Sequence, residues 1–138
     1  MVEKIKIAIA EDHPLMRKAI KDVVLQTSHL KIIFDVSNGS ELLIEIGKNK
    51  LQPDIILIDY FMPVLNGLET TKHIKALYPN IKVLIFSHLD EKNAIKNLFY
   101  FGINGFSTAF STVSLLSSST TPKLRGSSTF FTPICDVL

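Results

Sequence analysis

The 138-residue chain predicts a single α/β domain, a doubly wound, five-stranded parallel sheet with helices on both faces. Two observations lead there. Short runs of β-branched and aliphatic residues alternate repeatedly with helical patterns, which builds βα units on a parallel sheet. One run, Asp54–Asp59, has four consecutive apolar residues at its centre, as a strand covered on both faces requires.

The elements follow in order. Lys4–Ala10 alternates Ile5, Ile7 and Ile9 and reads as the first strand, closed by Glu11-Asp12. From His13 to Gln26, Leu15, Met16, Ala19, Ile20, Val23 and Val24 recur at helical spacing, with Pro14 suited to a first turn that needs no N–H. Leu30–Val36 is the second strand, ended by Ser37-Asn38-Gly39. Leu42, Leu43 and Ile46 mark a short second helix stopping at Gly47. Asp54–Asp59 is the third strand, followed by a loop through Pro63 and Asn66-Gly67. Leu68, Ile74 and Leu77 carry a third helix to Tyr78-Pro79-Asn80. Ile81–Phe86 is the fourth strand, Ala94, Ile95, Leu98 and Phe99 mark the fourth helix to Gly102, and Ile103–Phe106 is a brief fifth strand.

The pattern then changes. Residues 107–129 hold thirteen Ser or Thr, against seven in the 106 residues before them. Only Val113, Leu115, Leu116 and Leu124 offer an apolar face, and Pro122 breaks a last turn. The fifth helix is therefore expected to be short or irregular. The domain is assigned to residues 1–126, with 107–126 atypical and 127–138 a tail or the start of a linker.

Composition narrows the function. With 46% hydrophobic and 20% charged residues the chain is globular rather than disordered. A net charge of +2 is too small a bias to imply direct binding to nucleic acid or a membrane surface. Cys135 is the one cysteine, which excludes an internal disulfide and any multi-cysteine metal site. Glu3, Lys4 and Lys6 interrupt the N-terminus, and no apolar run reaches membrane-spanning length, so a cytoplasmic protein is expected.

In parallel sheets ligand chemistry gathers at the carboxyl ends of the strands. Three acids fall there: Glu11 and Asp12 after strand one, Asp59 after strand three. If those strands are neighbours the carboxylates converge. Two such charges about 4 Å apart repel by roughly 4 kcal/mol at an effective dielectric near 20, so the cluster needs a cation or shifted pKa values. Oxygen ligands with water favour Mg²⁺. The same acids also read as solvated loop residues, with Asp12 capping the first helix. Ser87 adds a hydroxyl at the end of strand four, and Phe106 ends strand five. A carboxylate nucleophile, a divalent metal and a hydroxyl donor suit phosphoryl transfer to an aspartate.

Taken together, Glu11-Asp12-His13-Pro14, Pro53–Asp59, Met62-Pro63, Gly67, Val83–Ser87, Gly102 and Asn104-Gly105-Phe106 resemble a response-regulator receiver domain of two-component signalling, over residues 4–106. The Glu-Asp-His-Pro start and Tyr78-Pro79-Asn80 resemble the subgroup whose receiver precedes a LuxR-type helix-turn-helix. The resemblance implies a flavodoxin-like fold with Asp59 as phosphoacceptor. It also implies Mg²⁺ held by Asp12, Asp59 and the backbone carbonyl of Phe61, with Glu11 acting through water. Ser87 would hydrogen-bond the phosphoryl group, and Phe106 would be the switch aromatic that rotates inward. The implied partner is a sensor histidine kinase. A homodimer is a second implied partnership, and DNA would be met only through an output domain.

The sequence departs from the family most sharply at its lysine, and Phe61 and His88 are also unusual. The family lysine three residues after the switch aromatic is here Ala109, and no lysine lies between Lys96 and Lys123. The alternative is therefore a pseudo-receiver, an interaction or dimerisation module not switched by phosphate. The family-like pattern returns at Leu124-Arg125-Gly126 and Phe130–Pro133, so residues 107–129 fit either a rebuilt segment or a pair of compensating frame changes. Phe61, two residues after Asp59, replaces the second acid that an aspartate-nucleophile phosphatase needs. It reads either as a shield against attacking water or as a loop aromatic. His88, directly after Ser87, reads either as narrowing access to Asp59 or as a rim residue, and His29 and His73 read as surface residues. No GxxxxGK[ST] or GxGxxG is present, and the chain is expected not to be an enzyme.

Overall fold

The computed structural model describes residues 3–87 and 92–107. Among the described residues nine elements alternate: β1 Ile5–Ala10, α1 Pro14–Gln26, β2 Leu30–Val36, α2 Gly39–Lys48, β3 Ile55–Asp59, α3 Gly67–Leu77, β4 Lys82–Phe86, α4 Lys92–Tyr100 and β5 Gly105–Ser107. All strand pairs are parallel and the sheet order is β2-β1-β3-β4-β5. The predicted doubly wound sheet is therefore the observed one.

Strand alternation sorts the apolar residues onto two faces. Ile7, Ile9, Ile55, Leu57, Leu84 and Phe86 share one buried cluster with Ile20 and Val24 of α1. Ala8, Ala10, Ile56, Ile58, Val83 and Ile85 share the other with Leu42 and Ile46 of α2, Ile74 of α3 and Leu98 of α4. Every residue of β3 is buried, as its unbroken apolar run implies.

β2 is less regular than its sequence suggests. Its pairing with β1 slips between Ile7↔Ile32 and Ala8↔Phe34, which leaves Ile33 as the extra residue. The slip places Ile32 against one cluster and Phe34 against the other, although they are two apart. It also pairs Asp35 with Ile9, on the α1 side of the sheet. There Lys21 reaches Asp35 at 2.8 Å and Arg17 at 3.4 Å.

Helix starts are set by local chemistry. The N-cap of α1 is His13, not Asp12, and it makes no side-chain cap bond; Pro14 takes the first turn. Asn38 caps α2 by accepting from Glu41 N at 3.0 Å, while the Glu41 carboxylate returns to Ser37 N at 3.0 Å. Asn66 caps α3 by accepting from Glu69 N at 2.9 Å. The α2 helix runs through Gly47 to Lys48 instead of stopping there. A β-carbon on Gly47 would meet nothing within 4 Å, and only its intrinsic propensity opposes the helix.

β5 begins at Gly105, two residues later than expected. Asn104 backbone N donates to Val83 O at 2.8 Å, and its side-chain oxygen accepts from Val83 N at 2.9 Å and from Lys75 Nζ at 2.8 Å. The side chain thus replaces one rung of the ladder. His88, Ala109, the expected fifth helix, the boundary at residue 126 and the tail lie outside the described residues. Among the described residues no helix is long and apolar enough to cross a membrane.

Candidate functional site

The strand order reverses between β1 and β3, which opens a crevice at their carboxyl ends. Glu11 and Asp12 follow β1 and Asp59 ends β3, so the topology itself brings the three acids together. One ligand atom from each of Glu11, Asp12, His13 and Asp59 lies within 4.8 Å of the others. Glu11 and Asp59 are buried, at 2% and 7% exposure.

Burial pushes the Asp59 carboxyl up to about 7, with the Glu11 charge adding to the rise and the Phe61 N–H opposing it. That N–H donates to Asp59 Oδ1 at 3.4 Å. Burial also raises Glu11, against hydrogen bonds from the His13 backbone and ring at 2.9 Å each. The hydrogen bond to Glu11 and the charge of Asp12 raise the His13 imidazole. His13 Nδ1 is also 3.1 Å from Asp12 Oδ1. Asp12 Oδ1 is buried without a hydrogen bond of its own.

Backbone packing fixes the acids. Arg17 Nη1 donates to Glu11 O at 2.9 Å, which ties the β1–α1 turn to the Asp35 contact. Arg17 gave no sequence signal, because it reads as part of the polar face of α1. On the β3 side Gly67 N donates to Tyr60 O at 2.9 Å, and a β-carbon on Gly67 would lie 2.7 Å from Asp59 O. The connecting loop includes Val64 at φ 68°, inside a three-residue turn closed by Leu65 N to Pro63 O at 2.8 Å.

The other expected site residues lie as follows. Ser87 follows β4 and is buried, with its hydroxyl unpartnered among the described residues. The Phe106 ring is buried in the cluster with Ile85 and Met62. Phe61 is 57% exposed and stacks edge-on against Tyr60. His29 and His73 are exposed.

The donor set fits a hard divalent cation: three carboxylates converge, and one buried oxygen still lacks a donor.

Comparison with known proteins agrees with this geometry. The family described as response regulator receiver domain matches residues 7–108. The chain is 35% identical over 107 residues to a nitrate/nitrite response regulator protein homolog of Haemophilus influenzae, covering 77% of this chain and 50% of that one. It is 36% identical over 91 residues to a protein-glutamate methylesterase/protein-glutamine glutaminase of Clostridium acetobutylicum, covering 66% of this chain and 26% of that protein. The chain thus spans between about a quarter and a half of these relatives. The signal receiver domain of a putative response regulator NarL from Mycobacterium tuberculosis has a similar structure, with a TM-score of 0.76 at 24% identity over 83% of this chain and 91% of that one.

Proposed function

Because the chain belongs to the response regulator receiver domains, we propose that it is a phosphorylatable signal-input domain whose acceptor is Asp59. The observation that carries the proposal is the convergence of buried Asp59 and Glu11 with Asp12 at the point where the strand order reverses.

In the proposed reaction an Asp59 oxygen attacks the phosphorus of a phosphohistidine on a sensor kinase. The P–N bond breaks, the imidazole leaves with its electron pair, and an acyl phosphate forms on Asp59. Attack needs the ionised carboxylate. Mg²⁺ bound at this site would favour that form and offset charge on the phosphoryl oxygens. Asp12, Asp59 and the Phe61 carbonyl would hold it, with Glu11 acting through water. The unpartnered Ser87 hydroxyl is suited to donate to a phosphoryl oxygen. Phe106, whose ring is buried, would report the change through the α4–β5 side.

The output would be a transcription domain outside this chain, as the resemblance to the LuxR-type subgroup suggests. Any enzymatic activity of the methylesterase relatives belongs to the much larger proteins that carry that name. Ala109 favours a second reading, a pseudo-receiver that binds partners without phosphate.

Intact mass after incubation with acetyl phosphate and Mg²⁺ separates the two. One added phosphate, absent in Asp59→Asn, supports the phospho-switch. No labelling of the wild type supports the pseudo-receiver.

A further inference from the structure

We infer that His13 is a metal-selecting residue: through Nδ1 it lets the acid site take nitrogen-accepting divalent ions of the later first-row transition series in addition to Mg²⁺. The inference rests on the reading of Glu11, Asp12 and Asp59 as a cation site.

The geometry places the imidazole inside the cluster. His13 Nδ1 is 2.9 Å from Glu11 Oε1 and 3.1 Å from Asp12 Oδ1, and it belongs to the set of four ligand atoms within 4.8 Å of one another. Among the described residues the polar contacts of the ring are with acids of this set. His13 is the N-cap of α1 yet makes no side-chain cap bond, and its side chain is 70% exposed. It can therefore adjust without disturbing the core. Within this set Asp12 Oδ1 is buried and has no hydrogen-bond partner among the described residues.

The chemistry follows from the donor types. Carboxylates and carbonyls suit Mg²⁺, which demands near-ideal octahedral geometry and keeps several waters. Adding an imidazole nitrogen changes the preference. Affinity for mixed N/O sites rises along the first-row series from Mn²⁺ through Co²⁺ and Ni²⁺, while Mg²⁺ gains little from nitrogen.

The test uses the whole chain, titrated calorimetrically with Mg²⁺ and separately with Co²⁺ at mildly alkaline pH. His13→Asn is the informative variant. Its amide can keep the hydrogen bond to Glu11, and Asn is a preferred N-cap, so folding is retained. The expected result is that Co²⁺ affinity falls by at least about tenfold in the variant, as removal of groups even one step outside a ligand shell costs roughly 10–100-fold. Mg²⁺ affinity is expected to stay unchanged. In the wild type, Co²⁺ should produce strongly shifted imidazole proton resonances that are absent from His13→Asn. An unchanged Co²⁺-to-Mg²⁺ affinity ratio, or no shifted imidazole resonances, would overturn the role of His13 and leave the acid site standing. Failure of the wild type to bind either ion would overturn the acid site as well.

Discussion

Gly67 packs directly on the backbone of Asp59: its N–H donates to Tyr60 O at 2.9 Å, and a β-carbon there would sit 2.7 Å from Asp59 O and from Tyr60 Cα. The first turn of α3 thereby clamps the loop that carries the proposed acceptor. Gly67→Ala must push this backbone apart and is expected to cost about 1–3 kcal/mol, as overpacking does. Gly47→Ala, where nothing lies within 4 Å, should instead stabilise by about 0.4–1 kcal/mol. Denaturant midpoints of the two variants should move in opposite directions. Equal shifts would contradict the clamp.

The raised Asp59 carboxyl makes stability depend on pH. Its folded pKa, about 7, lies above the ordinary 3.8, so the folded state binds the proton more tightly. The resulting stabilisation is full below pH ~4 and is lost as pH rises through about 7. Glu11 and His13, both raised, act in the same direction. The metal-free protein should therefore lose stability between pH ~5 and ~8. Asp59→Asn should flatten that loss and be more stable at the upper end by on the order of 1–3 kcal/mol. Melting in EDTA across this range reads the effect, and a wild type that gains stability on going alkaline would refute it.

Much of this was legible in the sequence, for a physical reason. Ile55–Ile58 is apolar without a break because both sheet faces are covered, and alternation in β1 sorts Ile7 and Ile9 from Ala8 and Ala10. The three acids were legible because strand ends are where a parallel sheet opens. What escaped depends on tertiary register. The slip at Ile33, which turns Asp35 toward Arg17, leaves no periodic trace. Nor does the Asn104 side chain that delays β5, or the choice of His13 over Asp12 as the cap of α1.

Asn104 offers a sharp test of that register. Its oxygen accepts from both Val83 N and Lys75 Nζ, and burial beside Lys82 holds the Lys75 ammonium below its ordinary pKa. Asn104→Ala removes the acceptor of Val83 N and leaves Lys75 Nζ with Ile81 O, and should cost about 1–3 kcal/mol in urea unfolding. A change within about 0.5 kcal/mol, the usual range for surface substitutions, would show that the rung is not needed.

Ala109 stands where the family keeps a lysine, and a charge-assisted contact to the phosphoryl group contributes on the order of 1.5–3 kcal/mol. Ala109→Lys should therefore speed labelling by acetyl phosphate by about tenfold or more. Labelling at the wild-type rate would show that this chain does not depend on the missing cation.

Phosphate is expected on Asp59 and on no other carboxylate of the cluster. Borohydride reduction after acetyl phosphate and Mg²⁺ treatment converts an aspartyl phosphate to homoserine, and peptide mapping then locates it. Homoserine is expected at position 59 alone, with Asp12 and Glu11 unreduced. Reduction at Asp12 or Glu11, or an unmodified Asp59 in a protein that has taken up phosphate, would contradict Asp59 as the acceptor.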